Sequence, residues 1–319
     1  MKDQATRRDI LKWTGFAAGA ALMPRVTRAE DAPLRKRVLR LAHLTDMHIQ
    51  PERGAAEGVA ACLHHVQSLP DKPELILSGG DTIMDSLATP TDRAKLQWEL
   101  WSNAIKNDCS LRVESCLGNH DIWGWNKKSS GTTGDEPQWG KKWACDVFGI
   151  ERSYRSFDRA GWHFVVLDSM TPHPETVYTA RLDDAQWDWL QSDLAATKPE
   201  TPVLVLSHIP ILSACVLAGW SSSKQGDLTV SHMLMHTDVA RIRELFWKHQ
   251  NVKLCLSGHL HLRERVDYNG VAYLCNGAVS GGWWKGDHQQ TKAGYGVVDL
   301  FDDGTFENQY LDYGWQARA

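Results

Sequence analysis

The sequence predicts an α/β protein: a largely parallel sheet covered by helices on both faces, with a second, partly antiparallel sheet late in the chain. Three observations predict it. Short apolar runs of strand length alternate with segments of helical period between residues 38 and 257. Side chains able to bind metal stand directly after many of those runs, where an open α/β sheet places its site. Two hairpin signatures then close the chain.

Taken in order, Val38-Leu39-Arg40-Leu41-Ala42-His43-Leu44 reads as a strand and residues 55–69 as a helix; Leu75-Ile76-Leu77 is a strand and 92–106 a helix; 111–116 is a strand. Residues 162–168 and 203–207 are further strands, separated by a helix over 183–196 with Trp187, Leu190 and Leu194 on one face. A helix over 238–249 and a strand over 252–257 continue the alternation. Strands alternating with helices require crossover connections, hence a mainly parallel sheet. Near the end, Asn269-Gly270 between 266–268 and 271–273, and Asp303-Gly304 between 297–300 and 306–311, are tight-turn hairpin signals. Two long stretches, 123–147 and 210–236, follow candidate ligand residues and carry no clear period; loops of that length in a compact domain are commonly functional. With no internal repeat and no low-complexity linker, residues 33–319 read as one domain.

The first thirty residues differ. Thr6-Arg7-Arg8-Asp9-Ile10-Leu11-Lys12, a small and weakly apolar run over 13–23, and the exit Thr27-Arg28-Ala29 resemble a twin-arginine signal peptide. The resemblance implies that residues 1–29 are removed, that the twin-arginine translocon is a partner during export, and that the mature protein is periplasmic or extracellular. Removing them takes away six basic and two acidic residues, so the net charge passes from −4 to −8. Such a chain advertises no electrostatic footprint for nucleic acid, so a small-molecule substrate is expected. No apolar run approaches the roughly 20 residues of a membrane span, which excludes stable membrane insertion by a helix. The seven cysteines lack zinc-knuckle spacing; Cys62, Cys255 and Cys275 read as buried apolar groups, while Cys109 and Cys116 are open to pairing.

Asp46 and His48 follow the first strand at a spacing of two, which in extended backbone points both side chains to one face. Ser78-Gly79-Gly80-Asp81 follows the second, its glycines allowing close backbone approach and its carboxylate able to bridge two cations. Gly118-Asn119-His120-Asp121 follows the third and combines a neutral oxygen donor, a titratable imidazole and a carboxylate able to orient it. Ser207-His208 and Gly258-His259-Leu260-His261 follow later strands. Any one of these is a weak signal; five strand ends that each carry a ligand type are not. His43, His64, His65, His163, His173, His249 and His288 lack such a context; His232 and His236, at i and i+4 on a helix, have the spacing to bind metal but read rather as a solvated helix face.

This ordered set resembles the calcineurin-like metallophosphoesterase superfamily over residues 38 to about 280. The resemblance implies a four-layer α-β-β-α sandwich of two mixed sheets, with the site at the C-terminal ends of the strands. It also implies two divalent or mixed-valence metal ions drawn from Mn, Fe or Zn. One ion would take Asp46, His48, Asp81 and His261, the other Asp81, Asn119, His208 and His259. His120 would be the proton donor to the leaving group, with Asp121 holding its ring. The protein Ser/Thr phosphatase branch is similar in outline but carries an Arg-Gly after the bridging aspartate, where this chain has Thr82-Ile83-Met84-Asp85-Ser86; the tyrosine ligand of purple acid phosphatases is absent too. The start at Asp46 and the run 118–121 are most similar to the cyclic-nucleotide and glycerophosphodiester phosphodiesterase branch. Hydrolysis of a small phosphodiester is therefore the expectation, with a phosphomonoesterase, a nuclease or a non-catalytic binding protein as alternatives. Trp123, Trp125, Trp283 and Trp284 are candidate substrate contacts, a Trp-lined mouth being suited to a base or sugar.

Overall fold

The computed structural model describes residues 35–219, 222–224 and 226–317; the expected signal peptide at residues 1–29 lies outside them. The chain runs β1 (Arg37–Leu44), α1 (Ala55–Ser68), β2 (Leu75–Ser78), α2 (Thr91–Asp108) and β3 (Arg112–Ser115). A single 3-10 turn (Asn119–Asp121) and two short helices, α3 (Lys127–Ser130) and α4 (Lys142–Phe148), lead to β4 (Arg155–Arg159) and β5 (Trp162–Val166). Next come the hairpin β6 (Met170–His173) and β7 (Val177–Ala180), then α5 (Asp184–Ala196), β8 (Val203–Leu206), α6 (Cys215–Gly219) and the hairpin β9 (Ser222–Lys224) and β10 (Asp227–Thr229). Last are α7 (Val239–Lys248), β11 (Val252–Ser257), β12 (Arg263–Tyr268), β13 (Val271–Asn276), β14 (Gly294–Phe301) and β15 (Phe306–Asp312).

The period-2 alternation of β1 serves two cores at once. Leu39 and Leu41 face one side, Ala42 and Leu44 the other, and all four are buried. On the Ala42 side the apolar stripe of α1 (Ala55, Val59, Cys62, Leu63, Val66) and the α2 residues Trp98 and Trp101 cover the sheet. On the Leu41 side Leu75 and Leu77 meet Phe164, Val166, Leu204, Leu206, Leu254 and Leu256 of a second sheet. The far face of that second sheet, with Val203, Val205 and Cys255, is covered by Leu190 and Leu194 of α5 and Ile242, Leu245 and Phe246 of α7. The layers are thus helix, sheet, sheet, helix, as the family resemblance implies.

The first sheet has the order β15-β14-β1-β2-β3, parallel from β1 to β3 and antiparallel at β14 and β15. The second has the order β12-β13-β11-β8-β5-β4, with β13, β11, β8 and β5 parallel and both edges antiparallel. The alternation pattern alone merged the parallel strands into one sheet and gave both terminal hairpins to another. In fact each hairpin finishes a different sheet. A run of four to six residues buried on both faces names no partner, so nothing local in β2 or β8 says which sheet it enters. The predicted turn at Asn269 (φ 52°) and Gly270 (φ 82°) has both residues left-handed, as a two-residue hairpin requires. All seven cysteines are free thiols, Cys62, Cys255 and Cys275 among the buried ones. Among the described residues no helix is long and apolar enough to cross a membrane.

Candidate metal centre

Five strands end on one rim. The chain leaves β1 into Asp46 and His48, β2 into Asp81, β3 into Asn119 and His120, β8 into His208, and β11 into His259 and His261. The candidate residues therefore lie across the seam between the two sheets.

They reach it by a local geometry different from the extended one that the spacing suggested. Asp46 (φ 55°), His48 (φ 44°), Asp81 (φ 51°), His259 (φ 68°) and His261 (φ 56°) are all left-handed, a conformation uncommon outside glycine. In Asp46-Met47-His48 and in His259-Leu260-His261 the middle residue is a buried apolar anchor. The chain pins that anchor in the core and turns at each flanking residue, so both polar side chains reach the rim. Backbone hydrogen bonds hold the turns: Asp46 N–H donates to Gly80 O at 3.0 Å, His48 N–H to Asp81 O at 2.9 Å, and Gly258 N–H to His208 O at 3.0 Å. Two glycines let the backbone come close. A Cβ at Gly118 would lie 2.1 Å from Asp81 Oδ1, and one at Gly258 2.2 Å from Asp46 Oδ2.

Asp81 stands in the middle of the set. Its Oδ2 is 3.2 Å from His208 Nε2, 3.7 Å from His48 Nε2 and 4.0 Å from His120 Nε2. To one side, His261 Nε2 lies 3.3 Å from Asp46 Oδ1 and 3.1 Å from His48 Nε2. To the other, His208 Nε2 lies 3.2 Å from Asn119 Oδ1, and Asp81, His208 and His259 offer donor atoms within 4.8 Å of one another. A third trio, His48, Asp81 and His120, joins the two sides.

The protonation states say what such a set needs. His261 donates its Nδ1–H to Gly281 O at 2.5 Å, and His208 donates its Nδ1–H to Gly79 O at 2.8 Å. With Nδ1 so engaged, each ring turns its Nε2 inward, toward oxygens and, for His261, another ring nitrogen. His259 Nε2 is buried with no hydrogen-bond partner. Lone pairs facing one another at about 3 Å repel unless a cation or a proton lies between them. Without a metal, the proton fills that role: burial pulls the His208 imidazole down, but the facing Asp81 carboxylate outweighs it and lifts the pKa to about 9. Burial likewise disfavours the Asp81 charge, yet the His208 and His120 rings hold it well below the usual carboxylate range. Imidazole, carboxylate and amide oxygen donors of this kind fit first-row divalent cations such as Mn, Fe and Zn.

His120 is half-buried, at the edge of the set, where Asp46, His48 and His208 have no exposed side-chain surface. Its backbone N–H donates to Asp81 Oδ1 at 2.9 Å. Asp121 does not face the ring, contrary to the expectation from sequence. Its buried carboxylate accepts the amides of Thr82, Ile83 and Gly118 at 2.9, 3.3 and 2.8 Å, tying the Asp81 loop to the Asn119 loop. Burial and the Asp81 charge push its pKa up to about 7. The carboxylate beside His120 is Asp85, whose Oδ1 is 3.5 Å from Nδ1. Asp85 is itself fixed by Thr89 Oγ1 at 2.6 Å and Leu87 N at 2.9 Å. Sequence reasoning missed Asp85 because its one signal, a carboxylate four residues after Asp81, has no meaning until the turn is seen. Burial pulls the His120 pKa down, but the Asp81 charge and then Asp85 raise it to about 9.

The four tryptophans divide. Trp123 is buried, donates Nε1–H to Thr89 O at 3.2 Å and packs edge-on against Trp143 at 5.1 Å. Trp125 is half-buried against the first core, with Lys141 Nζ 5.2 Å from its ring. Trp284 is buried under the Asp46–His48 loop. Trp123 and Trp284 are thus buried in packing, while Trp125 keeps part of its surface exposed. Trp283 is half-buried and stacks on His261 with ring centroids 4.2 Å apart. His236 is not on a solvated helix face: it is buried between Asp238 Oδ1 at 3.0 Å and Ser207 Oγ at 3.3 Å, while His232 contacts Thr176 Oγ1 at 3.2 Å.

Comparison with known proteins places this geometry. Residues 39–263 match the family Calcineurin-like phosphoesterase, and the chain belongs to that family. It is 25% identical over 289 residues to a 3′,5′-cyclic-nucleotide phosphodiesterase of Nostoc sp., covering 83% of this chain and 89% of that protein. It is 24% identical over 249 residues to the 3′,5′-cyclic adenosine monophosphate phosphodiesterase CpdA of Escherichia coli, covering 74% of each. In fold it is similar to a dimetal phosphatase from Danio rerio, with a TM-score of 0.56 at 14% identity over 88% of this chain and all of the other. It is also similar to GAP50, the anchor in the inner membrane complex of Plasmodium, with a TM-score of 0.52 at 17% identity over 88% of this chain and 86% of the other. The chain is accordingly a metal-dependent phosphoester hydrolase.

Proposed function

We propose that the chain hydrolyses a small phosphodiester, a nucleotide or glycerophosphodiester, at two metal ions held by the rim residues. The observation that carries the reading is the single carboxylate of Asp81 between two converging groups of donor atoms. Asp46, His48, Asp81 and His261 would hold one ion; Asp81, Asn119, His208 and His259 would hold the other. Such a pair supplies a nucleophilic hydroxide at neutral pH and positive charge for the phosphoryl oxygens.

The chain's own groups do the rest. Gly79 O and Gly281 O hold Nδ1 of His208 and His261, so each ring would offer its Nε2 to a metal ion. His120 lies at the solvent edge with its Nε2 toward Asp81, which suits it to protonate the departing oxygen as the ester bond breaks. Asp85, rather than Asp121, is the carboxylate beside its ring. A diester is favoured by the names of the two relatives above, and a small substrate by the acidic charge of the chain. Export through the twin-arginine translocon, which carries folded proteins, would allow metal loading before release to the periplasm or exterior. Replacing Arg7 and Arg8 by Lys should leave the precursor uncleaved inside the cell; normal processing would overturn the export reading.

The test of the chemistry is hydrolysis of bis(p-nitrophenyl) phosphate against p-nitrophenyl phosphate, with and without manganese. The expected result is metal-dependent release, faster from the diester. Faster release from the monoester would overturn the diester assignment, and no release from either with metal loaded would overturn hydrolysis altogether.

A further inference from the structure

The turn after β13 holds adjacent tryptophans in a backbone state that large side chains rarely adopt. Trp283 (φ 54°) and Trp284 (φ 66°) are both left-handed. The turn lies outside the stretch of residues 39–263 that matches the family.

Trp284 accounts for the anchoring. Its Nε1–H is shared between Met47 O and His48 O at 3.0 Å each, and its ring lies over Gly58, where a Cβ would come within 2.1 Å of it. These contacts fasten the turn to the loop carrying Asp46 and His48, and they over-determine the strained backbone. Trp283 is what the anchored turn displays. Its ring stacks on His261 at 4.2 Å and lies 6.0 Å from the His48 ring, so it stands beside two candidate ligands of the same ion. It remains partly exposed. Bracing His261 does not explain that exposure, because Gly281 O already fixes the His261 ring through Nδ1–H.

We propose that Trp283 is the wall on which the base of a nucleotide stacks when its phosphate lies at the metal centre. It would set the preference for a base-bearing ester over one without a base. The proposal rests on the phosphodiester reading above and adds the substrate class. A nucleotide carries its base one sugar away from its phosphate, so a flat partner is useful beside the ligands rather than among them. An indole face stacks on any base without reading its edge, which predicts selection for the presence of a base and little discrimination among bases.

The test measures binding and so does not depend on turnover. Manganese-loaded wild type, W283L and W283F are titrated calorimetrically with adenosine 5′-monophosphate and with ribose 5-phosphate, and metal content is assayed in each. Wild type should bind the nucleotide about 10-fold or more tighter than the sugar phosphate. W283L should lose that difference while keeping its metal and its affinity for ribose 5-phosphate, and W283F should keep most of it. Equal affinities in wild type, equal weakening of both ligands in W283L, loss of metal from W283L, or no binding of either ligand would each overturn the proposal. Hydrolysis of bis(p-nitrophenyl) phosphate would still stand or fall by its own assay.

Discussion

The two sheets bring unequal chemistry to the rim. Loops of the first sheet supply both acidic ligand candidates, Asp46 and Asp81, with Asn119, His48 and His120; loops of the second supply only His208, His259 and His261. Negative charge is thus kept on one framework, and the other contributes only imidazole nitrogens. The difference teaches that the donor set is complete only when the sheets are packed together. What sets their separation is the apolar layer between them, in which Leu41 and Leu77 face Leu204 and Leu254.

The sharpest way to separate proton chemistry from charge on the first sheet is His120→Asn. It should lower kcat by about 10²- to 10⁴-fold on a diester while the metal content stays that of wild type. Loss of metal would make His120 a ligand, and full activity would make it a bystander.

The dependence on sheet packing can be broken from the middle. Leu204→Ala removes a fully buried side chain from the inter-sheet layer, four residues before His208, and should cost about 2–5 kcal/mol in urea denaturation of the metal-free protein. Saturating metal should restore part of that loss, because only the assembled rim binds it. A loss below about 1 kcal/mol, or one that metal leaves unchanged, would mean that the sheets are held chiefly elsewhere.

The smallest effect is expected far from the rim, at an edge of the second sheet. His163 lies between Asp193 Oδ2 at 2.9 Å and Asp158 Oδ1 at 2.6 Å. The Asp193 hydrogen bond outweighs burial and, with Asp158, raises the imidazole pKa above its ordinary value. The folded state therefore holds the proton more tightly than the unfolded chain does. That contribution is fully present below an unfolded pKa of about 6.5 and is lost as pH rises through the raised folded value. Relative to His163→Gln, wild type should gain about 1 kcal/mol or less on going from pH 8.5 to pH 5.5 in urea denaturation. A gain in the opposite direction would contradict the ion pairs.

How far the sequence foretells the molecule depends on whether the information is local. β1, α1 and the turn at Asn269-Gly270 are written in short-range period and turn chemistry, and they stand within a residue or two of where those patterns put them. The partition of strands between sheets is not, because β1 pairs with β14 across most of the chain. At the rim, the identities of Asp46, His48, Asp81, Asn119, His208, His259 and His261 are legible from residue type and position after a strand. Their left-handed backbone is not, since it depends on Met47 and Leu260 finding the core. The carboxylate beside His120 is misread from sequence for a related reason. Adjacency makes Asp121 the obvious partner, but in the short 3-10 turn its side chain points back to three amides while Asp85 arrives from another loop. Of the tryptophans, only packing shows which is buried and which is displayed.

The most direct measurement is the metal content of the reconstituted chain beside that of Asp81→Asn. A carboxylate shared between two donor groups predicts two manganese ions per wild-type chain. The variant should hold at most one and should hydrolyse a diester about 10³-fold or more slowly. One ion or none in folded, manganese-saturated wild type, or two ions and near-normal hydrolysis in the variant, would contradict it.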